Sequence, residues 1–170
     1  MTTVNAVSSP VPSLKPVFKT IAWVGLLVGT LDICSAFLQA YIAKGLMPVV
    51  ILRFVASGFF GKEAFAGGPM IPVYGLLFHY FIAYSFTAFF FLIYPKVRIM
   101  SKNILATAIV YGIFMQAVTN FIVLPLSKIG KITFHLDKQL IATGILIVAI
   151  GLPLSYVAKR FYYPKDKSGV

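Results

Sequence analysis

The sequence predicts an all-α integral membrane protein with four transmembrane helices plus a short interfacial or re-entrant helix between the first and second spans. Composition is the first reason: 59% of the 170 residues are hydrophobic and only 11% are charged, whereas soluble domains average about 45–50% apolar and about 25% charged residues. Length is the second reason, because four continuous apolar stretches each reach the roughly 20 helical residues that cross a bilayer. Lipid offers no partner to the backbone groups of an open strand, so each span should be a helix.

These spans divide the chain into one membrane domain and two tails. The domain covers residues 18–161, between a flexible polar N-terminal tail at residues 1–17 and a basic C-terminal tail at residues 162–170. The first apolar run is longer than the hydrophobic region of a signal peptide, so we expect it to remain in the protein as a span. The four predicted spans are residues 20–43, 70–94, 103–126 and 138–158.

The first loop is unusually long and apolar. Pro48 suits the first turn of a helix and Gly58 suits its end, which predicts a short helix over residues 48–57. About ten residues are too few to cross a bilayer, so this helix lies at the interface or dips back into the membrane. Two interpretations stay open: it covers the outer face of the bundle, or it encloses a site and presents Arg53 to it.

Positive charge predicts the orientation. The formal net charge is +11. Nine of the fifteen Lys and Arg residues lie before the first span, in the second loop or after the last span, against six in or at the edge of the first and third loops. This bias predicts cytoplasmic termini and a bilayer with anionic headgroups on the cytoplasmic side as the partner, and no nucleic acid. The predicted membrane anchor at the end of the last span consists of Lys159, Arg160, Tyr162 and Tyr163.

Asp32 is the only acidic residue inside a predicted span. An acid near the middle of a bilayer costs a few kcal/mol, so it normally faces protein or water. Gly25 and Gly29 form a small-xxx-small pair on the same stripe of the helix as Asp32 and Ala36. Such a stripe allows a second helix to approach closely. We therefore expect Asp32 to face other helices, and Gly25, Gly29 and Ala36 to serve helix packing.

Other polar residues fall at a compatible depth in the outer half of the bundle. His79 belongs to the second span, and Gln116 and Asn120 lie four residues apart on one face of the third. Together with Asp32 and Arg53 they make one candidate ligand or proton site. Asp32 would be a buried proton acceptor, Arg53 a counter-ion or anion contact, and the other three a hydrogen-bonding wall. Hydrogen bonding between helices, without a site, remains the alternative.

Several chemistries are not expected from these residues. Cys34 is the single cysteine, which disfavours a thiol–disulfide enzyme. His135 is predicted to lie shallower than His79, so the two histidines do not suit a haem. We expect no metal site, no cofactor and no catalytic residue, because ligand clusters and a nucleophile–base pair are not recognisable.

A set of short motifs resembles a known group of proteins. The motifs are Asp32, Arg53–Gly58, Gly67–Pro69, Gly75–His79, Tyr111–Gly112, Asn120 and Pro125–Ser127. Together they resemble small uncharacterised bacterial four-helix inner-membrane proteins and are distantly similar to the YagU-like family, over about residues 25–127. The resemblance implies a bacterial inner membrane and emphasises Asp32, Arg53, His79 and Asn120. It implies no reaction.

The sequence thus favours a non-catalytic protein with a polar pocket in the outer half of the bundle. We expect this pocket to bind a small solute or a lipid headgroup, with coupling to protonation left open. The alternative is a non-catalytic accessory or assembly subunit of a larger membrane complex. Whether the chain forms a homo-oligomer or joins such a complex also stays open.

Overall fold

The structure is a computed structural model that describes residues 14–129 and 135–164. Regular secondary structure in these ranges is helical, without a strand. Four helices are long and apolar enough to cross a membrane, and a shorter apolar helix lies between the first and second, which confirms the predicted fold class. The helices in chain order are α1 (Leu14–Lys44), α2 (Pro48–Phe60), α3 (Glu63–Ala66), α4 (Ile71–Ile93), α5 (Arg98–Lys102), α6 (Ile104–Leu126) and α7 (Leu136–Tyr162).

The bundle has two ends, which are named here by the short helices they carry. Helices α1 and α6 end, and α4 and α7 begin, at the end that carries α2; we call this the α2 end. At the α5 end, α4 continues as a single 3-10 turn and α5 leads into α6. These names carry no statement about which side of a membrane either end faces.

The first helix begins earlier than the sequence predicts. α1 starts at Leu14, so the last residues of the predicted flexible tail are helical. Pro16 is compatible with this start because the first turn of a helix needs no backbone N–H from that residue. The rest of the predicted N-terminal tail, residues 1–13, lies outside the described residues, as do residues 130–134 of the third loop and residues 165–170 of the predicted C-terminal tail.

The short helix α2 is longer than predicted, and Gly58 does not end it. α2 continues to Phe60 and stops at Gly61, whose φ of 67° lies in the left-handed region that glycine tolerates. The Gly61 N–H donates to the Ser57 carbonyl oxygen at 2.8 Å, a normal way to close a last turn. Gly58 instead accepts a hydrogen bond from the backbone N–H of Lys128 at 2.8 Å, which ties α2 to the segment that follows α6.

Helices α1 and α4 pack through the glycine stripe of α1. A side chain at Gly25 would overlap the ring of Tyr84, and one at Gly29 would crowd the ring of Tyr80. Both tyrosines also bond to α1: the Tyr84 hydroxyl donates to the Ala22 carbonyl at 2.9 Å, and the Tyr80 hydroxyl shares a 2.8 Å hydrogen bond with the hydroxyl of Thr30. The small residues of α1 therefore make room for two large side chains of α4.

Helices α6 and α7 each contain one π-helical turn. These turns cover Thr119–Val123 and Ile147–Gly151, and each ends two residues before a proline. A proline inside a helix lacks an N–H and crowds the preceding turn, and a local widening to π geometry relieves both effects. Gly151, at the end of the second π turn, lies against the backbone of Ala108 so closely that a Cβ would overlap its carbonyl oxygen.

The core of the bundle is concentrated toward the α5 end. There, Phe90 packs edge-on against Tyr111 with ring centroids 4.6 Å apart, and Tyr94 stacks on Tyr162 at 5.9 Å. The Tyr111 hydroxyl donates to the Phe86 carbonyl at 2.6 Å and the Tyr162 hydroxyl to the Phe91 carbonyl at 2.8 Å. This half of the bundle is filled by side chains, whereas the half nearer the α2 end contains a cavity. The buried core residues are Val24, Val28, Phe90, Phe91, Tyr94, Tyr111, Met115, Ala149, Ile150, Leu154 and Ala158.

Candidate functional site

A cavity of about 330 Å³ lies where all four spanning helices meet α2. Small-molecule pockets are typically about 300–1,000 Å³, so the cavity has room for a small ligand. By helix rise Asp32, His79 and Gln116 lie about 12–18 Å from the α2 end. Its walls are mostly apolar, and its polar lining residues are Asp32, Gln39, His79, Gln116, Thr119 and Ser127.

Asp32 is the acidic residue of this cavity. Its carboxylate lies within electrostatic range of the His79 imidazole, and the side chain is only partly buried because it borders the cavity. Among residues 14–129 and 135–164, no group donates a hydrogen bond to the carboxylate. A carboxylate in a membrane-spanning helix normally pairs with another group or with water. Asp32 therefore has hydrogen-bonding capacity that a molecule in the cavity can use.

His79 joins α4 to α1 beside Asp32. Its Nε2 lies 2.8 Å from the Gly29 carbonyl oxygen. Because a carbonyl oxygen only accepts, Nε2 carries the hydrogen and donates it. The other ring nitrogen, Nδ1, takes no part in this contact between the helices.

The amides of α6 bind mainly to α7. Gln116 Nε2 and Asn120 Nδ2 both donate to Oε1 of Gln139, the latter at 2.9 Å. Gln116 also lines the cavity, whereas Asn120 does not. Asn120 is therefore part of the α6–α7 contact, and the structure brings only Asp32, His79 and Gln116 of the five predicted residues to the cavity wall. Sequence reasoning missed Gln139 because it lies next to Lys138, at the margin of the predicted fourth span.

Arg53 does not line the cavity, contrary to the role expected for it. Its Nη1 donates to the carbonyl oxygens of Ala64 at 2.9 Å and Gly67 at 2.8 Å, with longer contacts to Phe65 and Gly68. These carbonyls belong to the last turn of α3 and the connection to α4, where helical partners are missing. The side chain thus stabilises that connection, and the predicted counter-ion of Asp32 is absent from the cavity wall.

Helix α2 forms the cover of the cavity. Phe54, Val55 and Gly58 of α2 contribute to its lining. α2 crosses α4 at Gly75, where a Cβ would overlap the Leu52 carbonyl oxygen. Gly75 lies about 6 Å along α4 from its first residue. Helix α2 therefore packs against the side of α4, and it does not lie across the ends of the spanning helices. Of the two interpretations of the first loop, the structure supports a cover over a cavity, without Arg53 pointing inward.

The other predicted residues are Ala36 and those of the membrane anchor at the end of α7. Ala36 lines the cavity next to Asp32. Of the predicted anchor, Arg160 is exposed and donates to the Tyr156 hydroxyl at 3.1 Å, and Tyr163 is exposed. Tyr162 differs, because it packs into the core through Tyr94 and the Phe91 carbonyl rather than facing headgroups.

Neither a metal-binding cluster nor a known relative identifies the function of the cavity. In the part of the chain that the structure describes, no group of three or more His, Cys, Asp or Glu side chains is arranged to hold a metal ion. Comparison with family models, with curated proteins and with solved structures finds no match to this chain. The resemblance to the YagU-like family therefore stays a prediction.

Proposed function

We propose that the protein binds a small solute in the cavity beneath α2. The observation that carries this proposal is the convergence of Asp32, His79 and Gln116, from three different helices, on one cavity of about 330 Å³. A helix bundle that needed only internal hydrogen bonds would pair such groups with each other. The Asp32 carboxylate is left facing open space instead, although an acid in a span is costly to retain.

Proton coupling is part of the proposal. Asp32 and His79 lie at the same cavity, and His79 Nδ1 is available for a proton while Nε2 holds α1. Two neighbouring titratable groups in a low-dielectric site influence each other's charge strongly. A solute that changes the local charge therefore changes the protonation of this pair.

The location that suits this role is a bacterial inner membrane, with both termini on the cytoplasmic side. The four apolar helices make a multi-pass membrane protein, and the excess of Lys and Arg near the α5 end supports this orientation. The cavity, which is nearer the α2 end, would then belong to the outer half of the bilayer. A reporter enzyme fused after Val170 tests the orientation, since it should be active only in the cytoplasm.

The binding proposal is tested by filling the cavity. Ala36→Leu places a larger side chain in the cavity wall, and Ala43→Leu makes the same change at an exposed position of the same helix. The detergent-purified protein is screened by thermal unfolding against a panel of small amines, carboxylates, sugars and headgroup alcohols. A ligand that binds the folded state raises the unfolding temperature. We expect at least one compound to stabilise the wild type and Ala43→Leu but not Ala36→Leu. If no compound distinguishes the two variants, the cavity is not a binding site.

A second role is favoured by the outer face of α6. This helix is the least buried of the four spans. An apolar face of this extent suits lipid, and it also suits a neighbouring subunit, as expected of an accessory protein. Cross-linking in the native membrane followed by purification tests this role: a stable co-purifying subunit would support it. The large exposed apolar residues of α6 are Leu105, Ile109, Val110, Ile113, Phe114, Phe121, Ile122 and Leu126.

A further inference from the structure

The described wall of the cavity contains few charged side chains. Among the lining residues that the structure describes, Asp32 is the only acid, and neither Lys nor Arg is present. Two basic side chains of the α2 end are engaged elsewhere: Arg53 binds backbone carbonyls, and the Lys128 ammonium lies over the Phe59 ring, 5.7 Å from its centre. The wall therefore offers one carboxylate and no fixed positive charge other than the one His79 gains on protonation.

The helices around Asp32 determine how its charge is balanced. α4 contributes His79, and the lining residues of α2, α6 and α7 are uncharged, with Phe54, Gln116 and Ile145 as examples. An isolated charge in a low-dielectric site is unfavourable, so without a bound ligand we expect the Asp32–His79 pair to share one proton. The pair then has no net charge, whichever of the two residues holds the proton.

We propose that the cavity binds a small organic monocation, an ammonium group with apolar substituents, and releases one proton in exchange. This inference rests on the proposed function and specifies its ligand. The proton leaves the Asp32–His79 pair for solvent, the cation pairs with the Asp32 carboxylate, and His79 is neutral in the complex. One positive charge leaves and one enters, so the cavity has no net charge before and after binding, and no covalent bond changes apart from that proton.

The rest of the wall suits such a cation better than an inorganic one. The cavity surface is mainly apolar. It includes the aromatic side chains of Phe54 and Phe86 and the thioether side chain of Met115. Alkylated ammonium groups are weakly hydrated and bind well to aromatic faces next to a carboxylate. A strongly hydrated metal ion would need several oxygen ligands, and the wall provides one carboxylate.

A matched pair of probes isolates the charge. Choline and 3,3-dimethylbutan-1-ol have the same shape, but the second carries carbon in place of the charged nitrogen. Binding of each is measured by calorimetry on the full chain in maltoside detergent. We expect choline to bind the wild type at least about tenfold more tightly than the alcohol, the difference that a charge-assisted contact provides. Asp32→Asn should remove this preference, whereas Asp137→Asn, at an exposed acid of the α2 end, should retain it. Equal binding of both probes to the wild type would overturn the inference.

Proton release is measured on the wild type and needs no variant. Calorimetric titration of choline in buffers with different ionisation enthalpies gives the number of protons released, which we expect to be close to one. By linkage, choline affinity then falls about tenfold for each unit that the pH is lowered, within the range where the pair holds one proton. Choline binding without proton release would overturn the exchange.

Two further measurements distinguish a soluble organic cation from a lipid headgroup and from a neutral or anionic ligand. Phosphatidylcholine carries the same trimethylammonium group, so an Asp32-dependent stabilisation by this lipid, without any effect of choline, would assign the site to a headgroup and overturn a soluble cation. If the compound panel yields a neutral or anionic ligand that Ala36→Leu excludes, this inference fails while the binding function stands. If Ala36→Leu and Ala43→Leu respond alike to every compound, both fail.

Discussion

His79 Nε2 and the Gly29 carbonyl oxygen lie 2.8 Å apart, and this contact joins α4 to α1 at the depth of the cavity. It fixes the imidazole beside Asp32 and leaves Nδ1 for proton exchange. A hydrogen bond between membrane helices contributes about 0.6–2 kcal/mol to stability. His79 therefore combines a structural contact with a titratable group, and the two roles can be separated by mutation.

His79→Gln should retain part of the contact, because the glutamine amide can donate to Gly29, but it cannot take up a proton. We expect its unfolding temperature in detergent to stay closer to wild type than that of His79→Ala, while proton release on cation binding is lost in both. His135→Ala, at an exposed histidine of the α2 end, is the control and should change neither quantity. Undiminished proton release in His79→Gln would remove His79 from the proton-binding pair.

Gly75→Ala should disturb the seating of α2 on α4. The added Cβ would overlap the Leu52 carbonyl oxygen, so the two helices must separate, at a cost of about 1–3 kcal/mol. Gly144→Ala is the matched control, since a Cβ at this helical glycine of α7 meets no atom within 4 Å. It should leave stability unchanged or raise it by up to about 1 kcal/mol. Equal unfolding temperatures for the two variants would contradict the close crossing.

Arg53→Gln should loosen the connection between α3 and α4. The guanidinium donates hydrogen bonds to the carbonyls of Ala64 and Gly67. A hydrogen bond to a charged group contributes about 1.5–3 kcal/mol to stability. We expect faster proteolysis in the connection and a lower unfolding temperature, with cation affinity at the cavity little changed. Lys62→Gln, at an exposed residue nearby, serves as the control. If Arg53→Gln instead weakens ligand binding without any loss of stability, Arg53 acts at the site after all.

Gln139→Leu should weaken the contact between α6 and α7. Its Oε1 accepts from both Gln116 and Asn120, so the substitution leaves two amide donors without their partner. We expect a loss of about 1–3 kcal/mol, to be measured by unfolding in detergent. Leu140→Gln changes the polarity of the exposed residue next to Gln139, and it tests whether a polarity change at this depth alters stability without loss of the amide contacts. Wild-type stability of Gln139→Leu would show that the three amides do not hold the helices together.

The fold class could be predicted from the sequence because span length and apolar composition are one-dimensional properties. The direction of a side chain depends on three-dimensional packing and could not be predicted in this way. The position of Arg53 in α2 suggested a charged group at the site, yet the unpaired carbonyls at the end of α3 bind its guanidinium. Gly58 looked like a helix end, but whether a glycine stops a helix depends on the contacts around it, and here Gly61 does so.

The site was partly predictable for the same physical reason. Asp32, His79 and Gln116 stand out because ionisable and amide groups are rare and costly in spans, and the structure brings them to one cavity. Asn120 carries the same signal but faces Gln139. The direction of a polar side chain across a helix contact depends on helix rotation, which the π turn that begins at Thr119 shifts locally.

The packed half of the bundle near the α5 end limits what the cavity can do. Beneath it, Phe90 and Tyr111 are buried, and Gly151 rests on the Ala108 backbone. In this conformation the cavity is a dead end, so a bound solute would leave on the side from which it came. Movement across the whole membrane would require α6 and α7 to part where Gly151 packs on Ala108. The arrangement therefore suits a receptor or a reservoir better than a conduit.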